Sequence, residues 1–234
     1  MTSEEFEDPE DLVSLEERNQ MLFASIGLPI ARMVYLGEFD PETVTRAELA
    51  KALTSLGNTR DDAFEIYLTQ IEEEIPLVAH CISQERFSSA VVLLFTLFEA
   101  EVNSLIRLLM RVRDFSSSKI TDALKGTSFD TKLDVILPLL EVEIPDRFRN
   151  SALQCRSIRN VVVHNKATPA LMADTGVQNS DREIADARAK NFFFENSIDR
   201  LKDDLKDFFE ISLNRDPSVQ WSARLFEKYF KANE

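Results

Sequence analysis

The chain has 234 residues, 44% of them hydrophobic and 29% charged, with a formal net charge of −14. That length and apolar share are enough to bury a sizeable core, in one domain or two small ones. Two histidines and two cysteines, widely separated, exclude a zinc site and a disulfide framework, and five singly scattered glycines exclude a phosphate-cradling loop.

Much of the negative charge is local. Residues 1–20 hold eight carboxylates and one arginine, a balance of −7, and read as a solvating tail or as an intramolecular mimic of nucleic acid. Asp8-Pro9, followed by Glu10 and Asp11, predicts a helix start, with proline in the first turn and carboxylates near the positive end of the dipole. That helix is expected to end near Gly27, and Leu28 to Tyr35 is a short apolar stretch. Thr45 is expected to cap a helix from Arg46 to Leu56, stopped by Gly57 and Asn58. Acidic spacing over Glu38 to Lys51 is faintly like a calcium loop, without its central glycine or its final glutamate.

Thr59 is expected to open a longer helix, with Phe64, Tyr67, Leu68, Ile71, Ile75 and Val78 at helical spacing. Pro76 should kink that helix or divide it. His80, beside Val78 and Ala79, reads as a core or rim histidine, and Cys81 and Cys155 as reduced core thiols. Phe87 to Arg113 reads as one long helix, apolar all round at Val91 to Phe98 and therefore central in the core. Its far end is basic, with Arg107 and Arg111 four apart on one face, then Arg113.

Ser116-Ser117-Ser118 is a turn, and shorter helices are expected at 118–125 and 130–141. Ile144-Pro145 then sets up a helix from Asp146 to Asn165. Thr168 to Asp181 reads as a loop, and Arg182 to Phe194 fits helix or extended chain equally. Phe194, Ile198, Leu201, Leu205, Phe208 and Ser212 predict a helix over 195–213. Asp216-Pro217 starts a last one, with Trp221, Leu225, Phe226 and Tyr229 on its apolar side. With no basic-then-apolar leader and no apolar run of about 18 residues, the expected compartment is the cytoplasm and no membrane partner is expected.

Residues 101–166 hold eleven Lys and Arg against eight Asp and Glu, a balance of +3, and form the extended stretch best suited to a polyanion. On a helix turning about 100° per residue, Arg156, Asn160 and His164 form a row spaced by four, with Arg159 beside it. Cys155, Ile158, Val161 and Val162 fall opposite. Three consecutive valines favour a strand, but this sorting of polar and apolar positions favours a helix, and Lys166 near its end suits the dipole.

Arginine is a permanent cation suited to phosphate oxygens, and histidine exchanges a proton near neutral pH. The pair points to chemistry on a phosphodiester. A base would take the proton of a 2′-hydroxyl, which attacks the adjacent phosphorus, while Arg159 forks to two phosphoryl oxygens and Asn160 orients phosphate or imidazole. The plainer alternative is a set of surface or capping residues.

Arg159 and Asn160, three intervening residues and His164, on a late helix of an all-helical chain, resemble the R-x(4-6)-H motif of HEPN domains in its RNxxxH form. Ala90 to Asn103 looks like the earlier core helix of such domains, so that the resemblance covers about residues 60–213. It implies an all-α, HEPN-like antiparallel helical bundle with additional N-terminal and C-terminal helices. The expected divisions are an acidic segment and helical extension over 1–58, the HEPN-like domain over 59–213, and a C-terminal helix over 214–234 packed on it.

The resemblance further implies a metal-independent endoribonuclease that needs no cofactor, acting as a toxin or antiviral defence effector on RNA. Arg159, Asn160 and His164 would be catalytic, Arg156, Lys166, Arg107 and Arg111 would hold phosphates, and Glu99 and Asn103 would support the motif. A homodimer would share one cleft, the partner's His164 or water supplying the leaving-group acid, and an antitoxin or defence-system protein would be a further partner. The alternative is a non-catalytic HEPN-like module that binds nucleotide, RNA or a partner protein. His164 is followed by Asn165 and Lys166 where tyrosine-silenced members continue His-x-Tyr, so control by nucleotidylation is not expected.

Overall fold

The computed structural model describes residues 15–59, 71–166 and 177–231, and among them every regular element is helical and no strand occurs. The side chains of residues 15–17, 59, 164–166 and 177–182 are outside the description. In chain order the elements are α1 (Leu15–Tyr35), α2 (Arg46–Thr59), α3 (Ile71–Ser83), α4 (Phe87–Val112) and α5 (Ser117–Lys125). A contiguous trio follows: α6 (Phe129–Thr131), a π-helical turn (Lys132–Ile136) and α7 (Leu137–Leu139). Then come α8 (Asp146–Lys166), α9 (Val177–Glu195), α10 (Ile198–Arg215) and α11 (Pro217–Tyr229). The fold is all-α.

The chain forms two compact units. One comprises Met1–Tyr67, Leu108–Ser116 and Asn214–Glu234; the other comprises Leu68–Arg107 and Ser117–Leu213. In the first, α11 packs on α1, and Ile30, Met33, Val44, Leu49, Leu53 and Leu225 make a common core. Asp216 caps α11, accepting bonds from the backbone N–H groups of Ser218 and Val219, as its Asp-Pro start predicts. Thr45 and Glu48 form a reciprocal capping box at the start of α2.

The break expected at Gly27 does not occur, because α1 continues through Gly27 and Pro29 to Tyr35. Both residues are buried, and the Ser222 hydroxyl on α11 donates to the Gly27 carbonyl at 2.6 Å. Packing against α11 thus holds a segment that local propensity would interrupt. The start expected at Asp8-Pro9, and the positions Phe64, Tyr67 and Leu68, lie outside the described residues.

In the second unit α3 likewise runs unbroken through Pro76. The carbonyl deprived of its donor belongs to Glu72, an exposed residue in the first turn of α3. α4 is sided rather than apolar all round: Val91, Leu94, Phe95, Leu97 and Phe98 are buried while Thr96 is exposed. Its length and mean hydropathy of 1.6 would suffice to cross a membrane, and 56% of that apolar window is buried in the fold. The stretch left open between helix and extended chain is helical, and α9 already begins at Val177, inside the loop expected over 168–181. The remainder of that loop, 167–176, lies outside the described residues.

Candidate functional site

Helix α8 carries the motif and lies antiparallel to α4. The sense follows from two contacts: the Cys155 thiol donates to the Val91 carbonyl at 3.4 Å, and Phe148 meets Phe98 edge-on at 5.3 Å. Phe148 also stacks on Phe208 of α10, with centroids 3.9 Å apart. Of the apolar side read from the sequence, Cys155, Ile158 and Val162 are buried and Val161 is half-buried, and Phe148 and Ala152 extend the packed stripe towards the start of α8. Burial raises the Cys155 thiol far above its usual value, which leaves it an inert core group.

Arg159 reaches back along α8 to lie over the Phe95 ring, 5.6 Å from its centroid, and donates to the Asn160 side-chain oxygen at 3.2 Å. The structure therefore brings Arg159 and Asn160 together on a half-buried surface of α8. Position 164 falls in the last turn of the same helix, and the side chains of His164 and Lys166 lie outside the described residues.

The other arginines of α8 are engaged by acids. Arg156 binds both oxygens of Asp130, Arg149 pairs with Asp134, and Arg147 pairs with Asp204 at 3.0 Å. Among the described residues, Arg159 is the α8 arginine without a carboxylate in ion-pairing range.

Glu99 and Asn103 lie along α4 away from position 164. Phe98 sits level with Phe148, and position 164 lies sixteen residues beyond Phe148 in the direction away from Asn103. At about 1.5 Å of rise per residue, both are roughly 25–30 Å from it. Glu99 instead faces the buried Lys132 ammonium at 3.5 Å, and Asn103 keeps a buried side-chain oxygen without a hydrogen-bond partner. Arg107 is exposed farther along α4, whereas Arg111 is buried at 7% exposure in the first unit, out of reach of a surface polyanion. His80, expected in the core or at its rim, is exposed.

A polar cleft of about 510 Å³ was missed by the sequence reading. Along α8, Arg147, Asn150, Ser151 and Gln154 line it, and Glu195, Asn196 and Arg200 close the other side. The signal was present: positions i, i+3, i+4 and i+7 have the spacing of a core-facing stripe, yet all four are polar. Below it Asp204, 5% exposed, lies between Arg147 and Arg200, whose Nε is 3.9 Å away. Burial holds the Asp204 carboxyl above its usual value, against the opposing pull of the two guanidinium groups.

Among the described residues no cluster of three or more His, Cys, Asp or Glu is placed to hold a metal ion. No protein-family model, curated protein or solved structure matches the chain.

Proposed function

We propose that the chain is a metal-independent endoribonuclease of HEPN type, a cytoplasmic toxin or antiviral defence effector with Arg159, Asn160 and His164 as its catalytic set. The observation that carries this reading is the state of Arg159. Its guanidinium is positioned by the Phe95 ring and the Asn160 amide, and unlike its neighbours on α8 it is not neutralised by a carboxylate among the described residues. A guanidinium so placed is available to fork onto two phosphoryl oxygens.

In this reading His164 takes the 2′-hydroxyl proton, the oxygen attacks the adjacent phosphorus, and Arg159 stabilises the charge that builds on the phosphoryl group. Asn160 serves as the positioning residue for the guanidinium. The departing 5′-oxygen receives a proton from His164 of a second copy or from water, which is why a homodimer belongs to the proposal.

A rival reading, a non-catalytic module that binds nucleotide, RNA or a partner protein, draws on the pairing of Arg156 with Asp130. That pairing leaves little free positive charge along α8. Incubating single-stranded and structured RNA with the protein in EDTA separates the two. Cleavage abolished by Arg159→Ala and by His164→Ala supports the enzyme. Cleavage that persists in both variants, or that requires Mg²⁺, removes the mechanism, and binding without cleavage supports the module.

A further inference from the structure

Helix α11 turns a basic stripe outward. On a helix turning about 100° per residue, Trp221, Arg224 and Lys228 fall within about 60° of one another, opposite the buried Ser218, Ser222, Leu225 and Phe226. Lys231 follows just past the end of the helix, and all three cations are exposed. Elsewhere in the same unit arginines are spent on acids, Arg32 on Asp114 and Arg113 on Asp216. Arg224, Lys228 and Lys231 have no carboxylate in ion-pairing range among the described residues. Instead the Arg224 guanidinium lies 5.0 Å from the centre of the half-buried Trp221 ring, and the Lys228 ammonium 4.6 Å from that of Tyr229. The single acid of 217–231, Glu227, stands at the edge of the stripe.

The chain carries a complement to this charge. Residues 1–14 hold six carboxylates, at Glu4, Glu5, Glu7, Asp8, Glu10 and Asp11, and no Lys or Arg. The register of α1 on α11 brings that segment to the stripe. Phe23 meets Phe226 edge-on at 5.1 Å and the Ser222 hydroxyl donates to the Gly27 carbonyl, so the two helices run antiparallel and Lys231 is level with the first turn of α1. The chain therefore enters α1 beside the Lys231 end of the stripe. From Leu15 back to the level of Trp221 is about 20 Å, at roughly 1.5 Å of rise per residue. Fourteen residues span up to about 45 Å when extended, so the whole stripe is within reach. Covalent attachment also gives the segment a local concentration on the order of millimolar.

We infer that residues 4–11 lie along the outer face of α11, their carboxylates set against Arg224, Lys228 and Lys231. All of these residues belong to the first unit, and the assignment is independent of the reaction at Arg159.

Zero-length carbodiimide coupling of the full chain, read by peptide mass spectrometry, tests it together with acrylamide quenching of Trp221, the single tryptophan. Crosslinks from Lys228 and Lys231 to residues 4–11 are expected in excess over those from the exposed Lys51 and Lys125, with a yield independent of protein concentration. At about 1 M salt that yield should fall about tenfold, because the charges are then screened over a few ångströms. The second arm is a full chain carrying Glu4→Gln, Glu5→Gln, Glu7→Gln, Asp8→Asn, Glu10→Gln and Asp11→Asn together. Its Trp221 quenching constant should rise about twofold, since only the cation–π contact then holds Arg224 over the ring. Yields no higher than those of Lys51 and Lys125, yields that grow with protein concentration, or equal quenching in parent and variant overturn the assignment. An oligouridylate that shields Trp221 equally in both chains assigns the stripe to RNA and overturns it as well.

Discussion

Arg156 and Asp130 are locked together, one guanidinium nitrogen lying 2.5 Å from each carboxylate oxygen, while Arg159 three residues on has an aromatic ring and an amide for neighbours. Two arginines that look interchangeable in the sequence are therefore in different electrostatic states. The pair with Asp130 removes Arg156 from the cations available to a polyanion and leaves Arg159 exposed to one.

Asp130→Asn should release Arg156. If RNA binds along α8, its affinity rises and the slope of log K against log salt steepens by about 0.7, the value for one added phosphate contact on a single strand. Fluorescence anisotropy between low and moderate salt reads both quantities, and an unchanged slope shows that Arg156 stays away from the ligand even when free.

Arg159→Lys keeps the charge and loses the planar fork. For the proposed reaction the expected loss is about 100- to 1,000-fold in the rate of RNA cleavage in EDTA, with the melting temperature held within a few degrees. A lysine variant that cleaves at the parental rate contradicts a forked contact to the phosphoryl group.

Phe148 touches both Phe98 and Phe208 and is 1% exposed. Phe148→Ala should cost about 3–5 kcal/mol in urea unfolding, because the cavity opens among helices that cannot all move inward. A loss below about 1 kcal/mol would mean that α8 is not anchored at this point.

Two carboxylates pull the pH dependence of stability in opposite directions. Hydrogen bonds first from Lys202 and then from Lys206 lower Glu72 to about 2, so the stability it contributes is present above its ordinary value of 4.5 and fades as pH falls towards 2. Glu72 is exposed, so solvent screening keeps that contribution small. Asp204 is raised by burial; its folded form holds the proton more tightly than the unfolded chain, and stability falls as pH climbs from 3.8 through the raised value. Urea midpoints measured against pH should show a flatter acid limb in Glu72→Gln and no such decline in Asp204→Asn. Identical profiles for parent and variants would sink both assignments.

Helix α8 was legible almost to the residue, because Pro145-Asp146 announces its start and its apolar stripe recurs without interruption. α1 was not, since Gly27 and Pro29 carry local stop signals and the donor that steadies the Gly27 carbonyl, Ser222, is 195 residues away. α9 was ambiguous for a different reason. Its buried positions Ala185 and Ala189 are small, so the periodic signal before Phe192 is faint. At the site, the grouping of Arg159 with Asn160 follows from adjacency, but the partners Asp130 and Phe95 come from α6 and α4. Pairwise spacing along one helix cannot show whether an arginine is already spent. The same limit hides where Glu99 and Asn103 lie: they occupy the expected helix, and its antiparallel sense sets them far from position 164.

The buried face of α4 is synthesised long before its cover. Phe208, which backs the ring that packs on Phe98, is encoded 96 residues after Val112 (208 − 112). At roughly 5–20 residues per second of synthesis, that is a delay of about 5–20 s. Through that interval the 26-residue helix stands without α10 against it, and for its first part, until Phe148 is made, without α8 as well. The order of synthesis thus leaves the Phe98 face without its first cover until Phe148, 50 residues later (148 − 98), has been made.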